Sequence, residues 1–324
     1  MTQVAQDEEL RAALRGIDGF DTPDLEIGTA FPVLASPSWR GVDGAPLIVR
    51  NRAAGRSLFV KRLHPDTAFY IDPDAACAAA TAAGAAGIGP RVLLARPSQG
   101  LLVMEDLSPG WQVCGLERVA RAGFADRLLQ RRADCARLPG ITRAVDVFTE
   151  LPLFHAMLCD TGAPVPSDMG WVFDTVMRAA PEARGACAAR VVIHGDGNLS
   201  NVMTAADGRI RLVDFDRCGV GSPLEEIGSA LVEMCELDPA ARQVFARCLP
   251  MWEGLGIDPE RGFAAARLYG VADDLRWAMI AMVLDHVSPR RTQNEFYKFG
   301  IWRFLRARIA IRDPRFGERL GVAA

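Results

Sequence analysis

The chain has little lysine, few aromatic residues and no long apolar run. Only 7% of its 324 residues are Phe, Trp or Tyr, and Lys61 and Lys298 are its only lysines. No window approaches the roughly 18–20 apolar residues of a membrane span. The polar, acidic N-terminal segment lacks the pattern of a signal peptide. A net charge of −3 provides no basic field for nucleic acid. We therefore expect a cytoplasmic protein that binds neither membranes nor nucleic acid.

Paired cysteine motifs are also lacking. None of the eight cysteines belongs to a CxxC pair and their spacings are irregular, which argues against a zinc site. Half of the residues are apolar and 24% are charged, as in an ordinary globular enzyme. We expect reduced, mostly buried thiols rather than a disulfide framework.

The N-terminal third predicts a small sheet with one helix. Residues 47–63 read as two strands around a turn, and 91–95 and 100–107 as two more. The order β-β-α-β-β follows for the first ~105 residues. From about Gly110 onward the pattern is mainly helical, interrupted at 191–216.

The predicted helix of this sheet has clear boundaries. Asp72 suits the N-cap, Pro73 suits the first helical position, and residues 75–86 are rich in helix formers. Gly87 ends the helix, and Pro90 prevents it from resuming.

Residues 194–216 contain the groups that phosphoryl transfer requires. An apolar strand leads into the loop HGDGNLSN at 194–201, and an Asp-Gly turn at 207–208 then predicts a hairpin. The second strand of this hairpin ends in DFD at 214–216. The pairing of the two strands should bring Asn201 close to Asp214.

The residue types in this segment suit a kinase reaction. Phosphoryl transfer needs a base near the acceptor hydroxyl and Mg²⁺ held against the phosphates. Asp196 is the candidate base, and Asn201 and Asp214 offer the hard oxygen ligands that Mg²⁺ prefers. Asn201 lies five positions after Asp196, as in the catalytic loop of protein kinases. The alternative interpretation is a surface loop of turn-forming residues.

HGDGNLSN followed by LVDFD resembles the aminoglycoside phosphotransferase and choline kinase superfamily. This resemblance implies a two-lobed, protein-kinase-like fold that uses ATP and Mg²⁺. Residues 67–93 are similar to the N-lobe helix of bacterial choline-kinase-type members, and residues 295–316 resemble their C-terminal helix.

The resemblance also implies a nucleotide site. Lys61, at the end of a strand, would contact the ATP phosphates. The segment that joins the lobes would bind adenine through the Glu105 carbonyl and the Leu107 amide. His194, the first residue of the loop, is a further candidate.

Two features depart from the family pattern. The helix position where a glutamate normally pairs with the lysine is Ala76, and no glutamate lies between Glu26 and Glu105. The turn that covers the phosphates, expected near 36–46, has an irregular glycine pattern. Asp72 or Asp74 could replace the missing glutamate. We predict that Lys61 pairs with Asp214 or with one of these helix-start acids.

Three acids near the metal loop have more than one interpretation. Ser222 and Glu225 form an S-x-x-E capping box, which explains Glu225. A structural role is favoured over substrate binding for Glu226. Asp216 has no capping role and is a candidate second metal or substrate contact.

The acceptor site is expected among the aromatic residues of the helical lobe. Trp277 and Trp302 are candidates, because aromatic faces and carboxylates bind quaternary ammonium groups; packing in the core is the alternative for each. Residues 290–319 carry nine Arg or Lys and three acids, which disfavours a polycationic substrate. The apolar stripe of this stretch is predicted at Phe299, Trp302, Leu305 and Ile309.

We therefore predict an α+β, two-lobed kinase-like fold, with a nucleotide-binding N-lobe at 1–106 and a helical C-lobe at 107–324. The protein would transfer the γ-phosphoryl group of ATP to a small-molecule alcohol, first choline or ethanolamine. An aminoglycoside, another amino alcohol or a sugar is the alternative acceptor. A regulatory pseudokinase is a different alternative, which the missing helix glutamate favours. The sequence leaves the oligomeric state open.

Overall fold

The N-terminal lobe is a five-stranded antiparallel sheet with the strand order β1-β2-β3-β5-β4. The structure, a computed structural model, describes residues 3–30, 43–235, 237–290 and 296–323. The strands are β1 (Leu25–Thr29), β2 (Gly44–Asn51), β3 (Arg56–Leu63), β4 (Val92–Arg96) and β5 (Leu101–Glu105). The order of the last four, with helix α2 (Pro73–Ala85) between β3 and β4, confirms the predicted β-β-α-β-β pattern. Helix α1 (Gln3–Leu14) and β1 precede them and were not predicted.

The two faces of β3 have different functions. Leu58 and Val60 are buried with apolar residues of α1 and β5. Because side chains alternate along a strand, Phe59 and Lys61 point to the other face. That face lines the cleft beneath the sheet.

Helix α2 begins as predicted. The Asp72 carboxylate accepts hydrogen bonds from the amides of Asp74 and Ala75 at 3.0 and 3.1 Å, and Pro73 occupies the first turn. After the helix, Gly87 adopts a positive φ of 68°, which glycine tolerates without strain.

The C-terminal lobe is mainly helical and surrounds one long central helix, α10 (Pro259–Val287). The other helices are α3 (Leu116–Val119), α4 (Phe124–Asp134), α5 (Val147–Thr161), α6 (Met169–Met177), α7 (Ala180–Gly185), α8 (Pro223–Met234), α9 (Asp238–Cys248), α11 (Phe296–Arg312) and α12 (Pro314–Ala323). Nearly the whole circumference of α10 is buried, because α5, α8, α11 and α12 pack around it. None of the described helices combines the length and the apolarity needed to cross a bilayer.

Short strands support the functional loops. They are β6 (Trp111–Val113), β7 (Val191–Ile193), β8 (Val202–Ala205), β9 (Ile210–Leu212) and β10 (Gly219–Gly221). Strands β8 and β9 form the predicted hairpin, with Gly208 at φ 85° in its turn. Strand β7 pairs with β10, so both ends of the 194–218 segment are fixed to the same two-stranded sheet.

The predicted stripe on α11 is wrong apart from Phe299. Trp302, Leu305 and Ile309 are 48%, 38% and 69% exposed. The helix instead buries a neighbouring face that contains Arg303 and Phe304, because this face packs against α10. The prediction for the cysteines is confirmed: all eight are free, and all but Cys159 are buried.

Candidate active site

The HGDGNLSN loop follows β7 and is tightly packed. Gly195 has a φ of 80°, and a Cβ there would lie 2.4 Å from the Arg217 carbonyl oxygen. A Cβ on Gly197 would lie 2.2 Å from the carbonyl oxygen of Ser229 on α8. Both contacts are with backbone atoms that cannot move aside. Only glycine therefore lets the loop lie this close to the 215–217 turn and to α8, and Asp196 is held between the two glycines.

Asp196 is a buried carboxylate with two hydrogen-bond donors. It accepts from the Asn198 amide at 2.9 Å and from the Asn201 side-chain Nδ2 at 2.8 Å. Burial raises the pKa of Asp196 to about 7, and the nearby charges of Asp273 and Asp214 act in the same direction. A general base works best when its pKa lies close to the working pH. The environment of Asp196 therefore suits proton acceptance near neutrality.

Asp214 has an unusual backbone conformation. Its φ of 69° is the only positive φ of a non-glycine residue among those described. Such a conformation costs about 1–3 kcal/mol and is found preferentially at functional sites. Burial alone would raise the pKa of Asp214, but the neighbouring Lys61 ammonium outweighs burial and lowers it. Asp214 is therefore a carboxylate that stays ionised.

Lys61 pairs with both aspartates of the DFD segment. Its Nζ lies 2.5 Å from Asp214 Oδ1 and 2.6 Å from Asp216 Oδ2. The predicted pairing with Asp214 is confirmed, whereas the helix-start acids Asp72 and Asp74 are exposed. Burial would lower the pKa of Lys61, but these two carboxylates more than compensate and raise it. Lys61 is a permanent cation at the floor of the cleft.

Asp43 is a third carboxylate at this position that sequence reasoning missed. One oxygen each of Asp43, Asp214 and Asp216 lie within 4.8 Å of one another. The Tyr70 hydroxyl hydrogen-bonds to Asp43, which fixes its direction. Burial raises the pKa of Asp43, and the charge of Asp214 adds to the effect. Asp43 lies in the 36–46 turn, whose irregular glycine pattern gives no indication of a carboxylate at the metal site. Residues 36–42 of that turn lie outside the described residues.

The oxygen donors of this region suit Mg²⁺. Asn201 uses Nδ2 to bond to Asp196, so Oδ1, on the other arm of the amide, faces away from that carboxylate. Asn201 and Asp214 both line the interlobe cleft. An amide oxygen and an ionised carboxylate are ligands that Mg²⁺ accepts while it keeps several waters. The chemistry of the donor set therefore fits this metal.

A buried network of arginines and glutamates fixes the loop backbone. Glu226 accepts from Arg132 at 2.8 Å and from the Gly195 amide at 3.0 Å. Arg132 also donates to the Asp196 carbonyl at 2.8 Å, and Arg276 donates to the Gly195 carbonyl at 3.0 Å. Glu226 thus contacts the loop backbone, in agreement with the structural role favoured from sequence.

The prediction that Glu225 completes a capping box is wrong. Ser222 does cap α8 by accepting from the Leu224 amide at 3.2 Å. The Glu225 carboxylate instead accepts from Arg276 at 3.1 Å and from the Val147 amide at 3.3 Å. The buried cation Arg276 competes with the helix terminus for this carboxylate. The sequence does not predict this partner, because Arg276 comes from α10, which is remote in sequence.

His194 supports the loop from below. Its ring is fully buried, its Nε2 lies 2.9 Å from the Val213 carbonyl, and it packs against Phe215 with the ring centroids 4.8 Å apart. Burial lowers the pKa of His194, so the ring is neutral at physiological pH. These contacts join the HGD loop to the DFD segment.

The cleft between the lobes has a volume of about 340 Å³. Its walls include Ile48, Phe59, Met104 and Val213, with Lys61, Asn201 and Asp214 at one end. Glu105 and Leu107 lie on the segment that joins the lobes and also line this cleft. The Glu105 carboxylate accepts from Arg211 at 2.6 Å and from the Arg91 amide at 2.8 Å, which anchors the segment. Adenine binding by the backbone of Glu105 and Leu107 remains a prediction.

The two candidate tryptophans lie in different environments. Trp277 is 4% exposed and packs edge-on against Tyr70, with the ring centroids 6.3 Å apart. Trp302 lies on the exposed face of α11. The core interpretation therefore describes Trp277, whereas Trp302 is a surface residue.

A sheet lobe and a helical lobe, with a polar loop and a DFD segment beside the cleft between them, define the protein-kinase-like class of folds. A family model described as "Phosphotransferase enzyme family" matches residues 116–257, which contain both motifs. No curated protein matches the chain at the level of sequence.

Solved structures of kinases share the fold over nearly the whole chain. A choline/ethanolamine kinase family protein from Mesorhizobium loti has 18% identity and a TM-score of 0.74, with 98% of each chain covered. The choline kinase LicA from Streptococcus pneumoniae has 11% identity and a TM-score of 0.72, with 95% of this chain and 99% of LicA covered; LicA is also known in complex with AMP. A thermostable mutant of the aminoglycoside phosphotransferase APH(4)-Ia has 14% identity and a TM-score of 0.57, with 89% and 94% covered. The family match over residues 116–257 and the shared fold agree with the resemblance to the aminoglycoside phosphotransferase and choline kinase superfamily.

Proposed function

We propose that the protein is an ATP-dependent phosphotransferase that moves the γ-phosphoryl group to the hydroxyl of a small molecule. The observation that carries this proposal is the geometry of one site. Asp196 has a pKa near neutrality and is bonded to Asn201, and the Lys61–Asp214 pair stands at the polar end of an apolar cleft. Residues 1–106 would form the nucleotide-binding lobe, and residues 107–324 the lobe with the catalytic loop.

Asp196 would accept the proton of the acceptor hydroxyl. The Oδ2 atom of Asp196 accepts a hydrogen bond from Nδ2 of Asn201, and this bond fixes the direction of the other oxygen, Oδ1. A network of Glu226, Arg132 and Arg276 bonds to the backbone of Gly195 and Asp196. These bonds limit the movement of the Asp196 carboxylate. Such positioning is the main contribution of the protein to phosphoryl transfer.

Asn201 and Asp214 would hold Mg²⁺, which neutralises phosphate charge when bound. Asp214 stays ionised because Lys61 lowers its pKa, so no proton has to leave before a metal binds. Lys61 would contact the phosphates as a compact cation. Its Nζ already lies at the end of the cleft where the phosphates would be placed by an adenine at the Glu105–Leu107 segment.

Choline or ethanolamine is the proposed acceptor. The solved choline and ethanolamine kinases match this chain with TM-scores of 0.71 to 0.74, and the aminoglycoside and macrolide phosphotransferases with 0.52 to 0.59. Two buried carboxylates, Asp273 and Asp274, lie on α10 in the lobe where the acceptor would bind. Both are paired with buried arginines, Asp273 with Arg276 and Asp274 with Arg303, so they add no unpaired negative charge, and the comparison of folds is what supports this acceptor.

Ligand-induced stabilisation followed by a turnover assay tests the proposal. We expect ADP with Mg²⁺ to raise the melting temperature, since a ligand that binds only the folded state stabilises it. With ATP, Mg²⁺ and choline or ethanolamine, the wild type should then form ADP. The Asp196→Asn variant should bind the nucleotide but form no ADP. Binding without turnover on choline, ethanolamine or an aminoglycoside would favour a pseudokinase, and absence of nucleotide binding would refute both functions.

A further inference from the structure

Helix α2 of the N-terminal lobe has no acid that reaches Lys61. The inner face of α2 consists of small residues, and Ala76, where a glutamate was expected, is 4% exposed. Within the described range of α2 the only acid is Asp74, which lies in the exposed first turn beside the cap Asp72. The ion pair that protein kinases make between the strand lysine and a helix glutamate is therefore not available here.

The turn at 215–217 occupies the space beneath α2. Phe215 is 3% exposed and belongs to the same apolar cluster as Cys77, Ala80 and Ala83 of the helix. A Cβ on Gly89, just after the helix, would lie 2.9 Å from the Phe215 ring. The small side chains of α2 thus let the helix pack directly on this turn.

Asp216 projects from this turn to Lys61. Its side chain is 8% exposed, and its Oδ2 lies 2.6 Å from Lys61 Nζ. The backbone around it is anchored to Arg143 and Glu150 of the helical lobe and to Tyr70, which precedes α2. Arg143 donates to the Asp216 carbonyl at 3.1 Å, and the adjacent Arg217 donates to the Tyr70 carbonyl at 2.6 Å and pairs with Glu150.

We infer that Asp216 is the positioning residue for Lys61, in place of the missing helix acid. The inference rests on the proposed function, because Lys61 needs a fixed direction only if it meets the phosphates of a nucleotide. Its consequence concerns regulation. In protein kinases a movement of the helix can break the lysine pair, whereas here one turn carries both the metal-binding Asp214 and the partner of Lys61. The pair of Lys61 therefore does not depend on a side chain of α2.

A double-mutant cycle on nucleotide affinity tests this inference. The four proteins are the wild type, Asp216→Asn, Lys61→Met and the double variant, and the readout is the Kd of ADP with Mg²⁺ measured by calorimetry. We expect Asp216→Asn to raise the Kd about tenfold in the wild-type background and less than about twofold in the Lys61→Met background, since coupled residues are not additive. Asp216→Ser serves as a second variant if Asp216→Asn does not fold.

Asp74→Asn is the matched control, because it removes an exposed acid from α2, the helix that packs on the turn of Asp216. It should leave the Kd unchanged. A Mg²⁺ titration of Asp216→Asn at saturating ATP separates the positioning role from metal ligation. The Mg²⁺ concentration for half-maximal activity should stay as in the wild type.

Three outcomes would overturn the inference. They are a tenfold loss in both lysine backgrounds, a Mg²⁺ requirement that rises in Asp216→Asn, or an equal loss in Asp74→Asn. If the wild type does not bind ADP with Mg²⁺, the proposed function itself fails. If it binds and the cycle is additive, only the role of Asp216 fails.

Discussion

Replacing Asp196 with asparagine should abolish turnover and, above neutral pH, stabilise the fold. Burial raises the pKa of Asp196 from 3.8 to about 7. The folded protein therefore keeps this proton up to about pH 7, whereas the unfolded chain loses it near pH 3.8. The contribution of Asp196 to stability accordingly falls as the pH rises between these two values and is constant above them.

The size of the effect follows from the shift. Each unit of pKa corresponds to about 1.4 kcal/mol, so an ionised Asp196 destabilises the fold by about 4 kcal/mol near pH 8. Near pH 5 the cost is only about 1.5 kcal/mol, because only the unfolded chain is ionised there. The asparagine variant loses one of the two hydrogen bonds that the carboxylate accepts, about 1 kcal/mol at every pH. Its stability relative to the wild type should thus improve by about 3 kcal/mol between pH 5 and pH 8.

Urea unfolding measures this difference, with the fluorescence of the six tryptophans as the probe. The wild type and Asp196→Asn are compared near pH 5 and near pH 8, without nucleotide or metal. The other buried carboxyls are present in both proteins, so their titration largely cancels. A difference that does not change with pH, or near-normal turnover by the variant, would contradict the role assigned to Asp196.

Other perturbations have equally definite outcomes. The kcat/KM of the wild type should rise with pH to a plateau above about 7, as Asp196 loses its proton, and a pH-independent profile would exclude it as the base. Lys61→Met should lower stability by a few kcal/mol without Mg²⁺, since the half-buried Asp214 and the buried Asp216 lose their cation, and added Mg²⁺ should restore part of the loss; an unchanged melting curve would contradict this. Glu226→Gln should cost about 3–5 kcal/mol by chemical unfolding, because it leaves a buried arginine unpaired, whereas Glu260→Gln, at an exposed ion pair, should cost almost nothing. Trp302→Ala should leave both the melting temperature and the KM for the acceptor unchanged, and a large rise in KM would return Trp302 to the acceptor site.

The sequence was most informative where local geometry determines the structure. Asp72 and Pro73 start α2 because a cap involves only the next few residues. The hairpin around Gly208 forms at the predicted place for the same reason, and it brings Asn201 and Asp214 to one end of the cleft. Each of these features depends on a short run of chain, so residue types and spacing are enough to predict it.

Features that depend on distant residues could not be predicted. Arg132 and Arg276 are almost completely buried, although arginine is usually exposed, because acids from other elements surround them. Glu225 was assigned to a cap because its partner Arg276 lies 51 positions away. The proximity of Asp43 to Asp214 and Asp216 likewise spans much of the chain.

Helix α11 shows a limit of periodicity. It has apolar residues on two faces, and the stripe through Trp302 and Ile309, which is predicted to be buried, is exposed in the structure. The face that packs on α10 includes Arg303, which bonds to Asp274 and Glu233 at 2.7 Å. The buried face also carries Phe296, Phe299, Phe304 and Ile311 at helical spacing, so apolar periodicity alone does not distinguish the two faces.

Phosphorus NMR of the wild type with ATP, Mg²⁺ and choline or ethanolamine tests the central claim most directly. A buried base at 196 beside a metal and nucleotide cleft predicts a new phosphomonoester signal that grows as the γ-phosphate signal declines, and no such signal with Asp196→Asn. A wild type that binds ADP with Mg²⁺ but forms no phosphomonoester with these or any other small alcohols would contradict the assignment as a phosphotransferase.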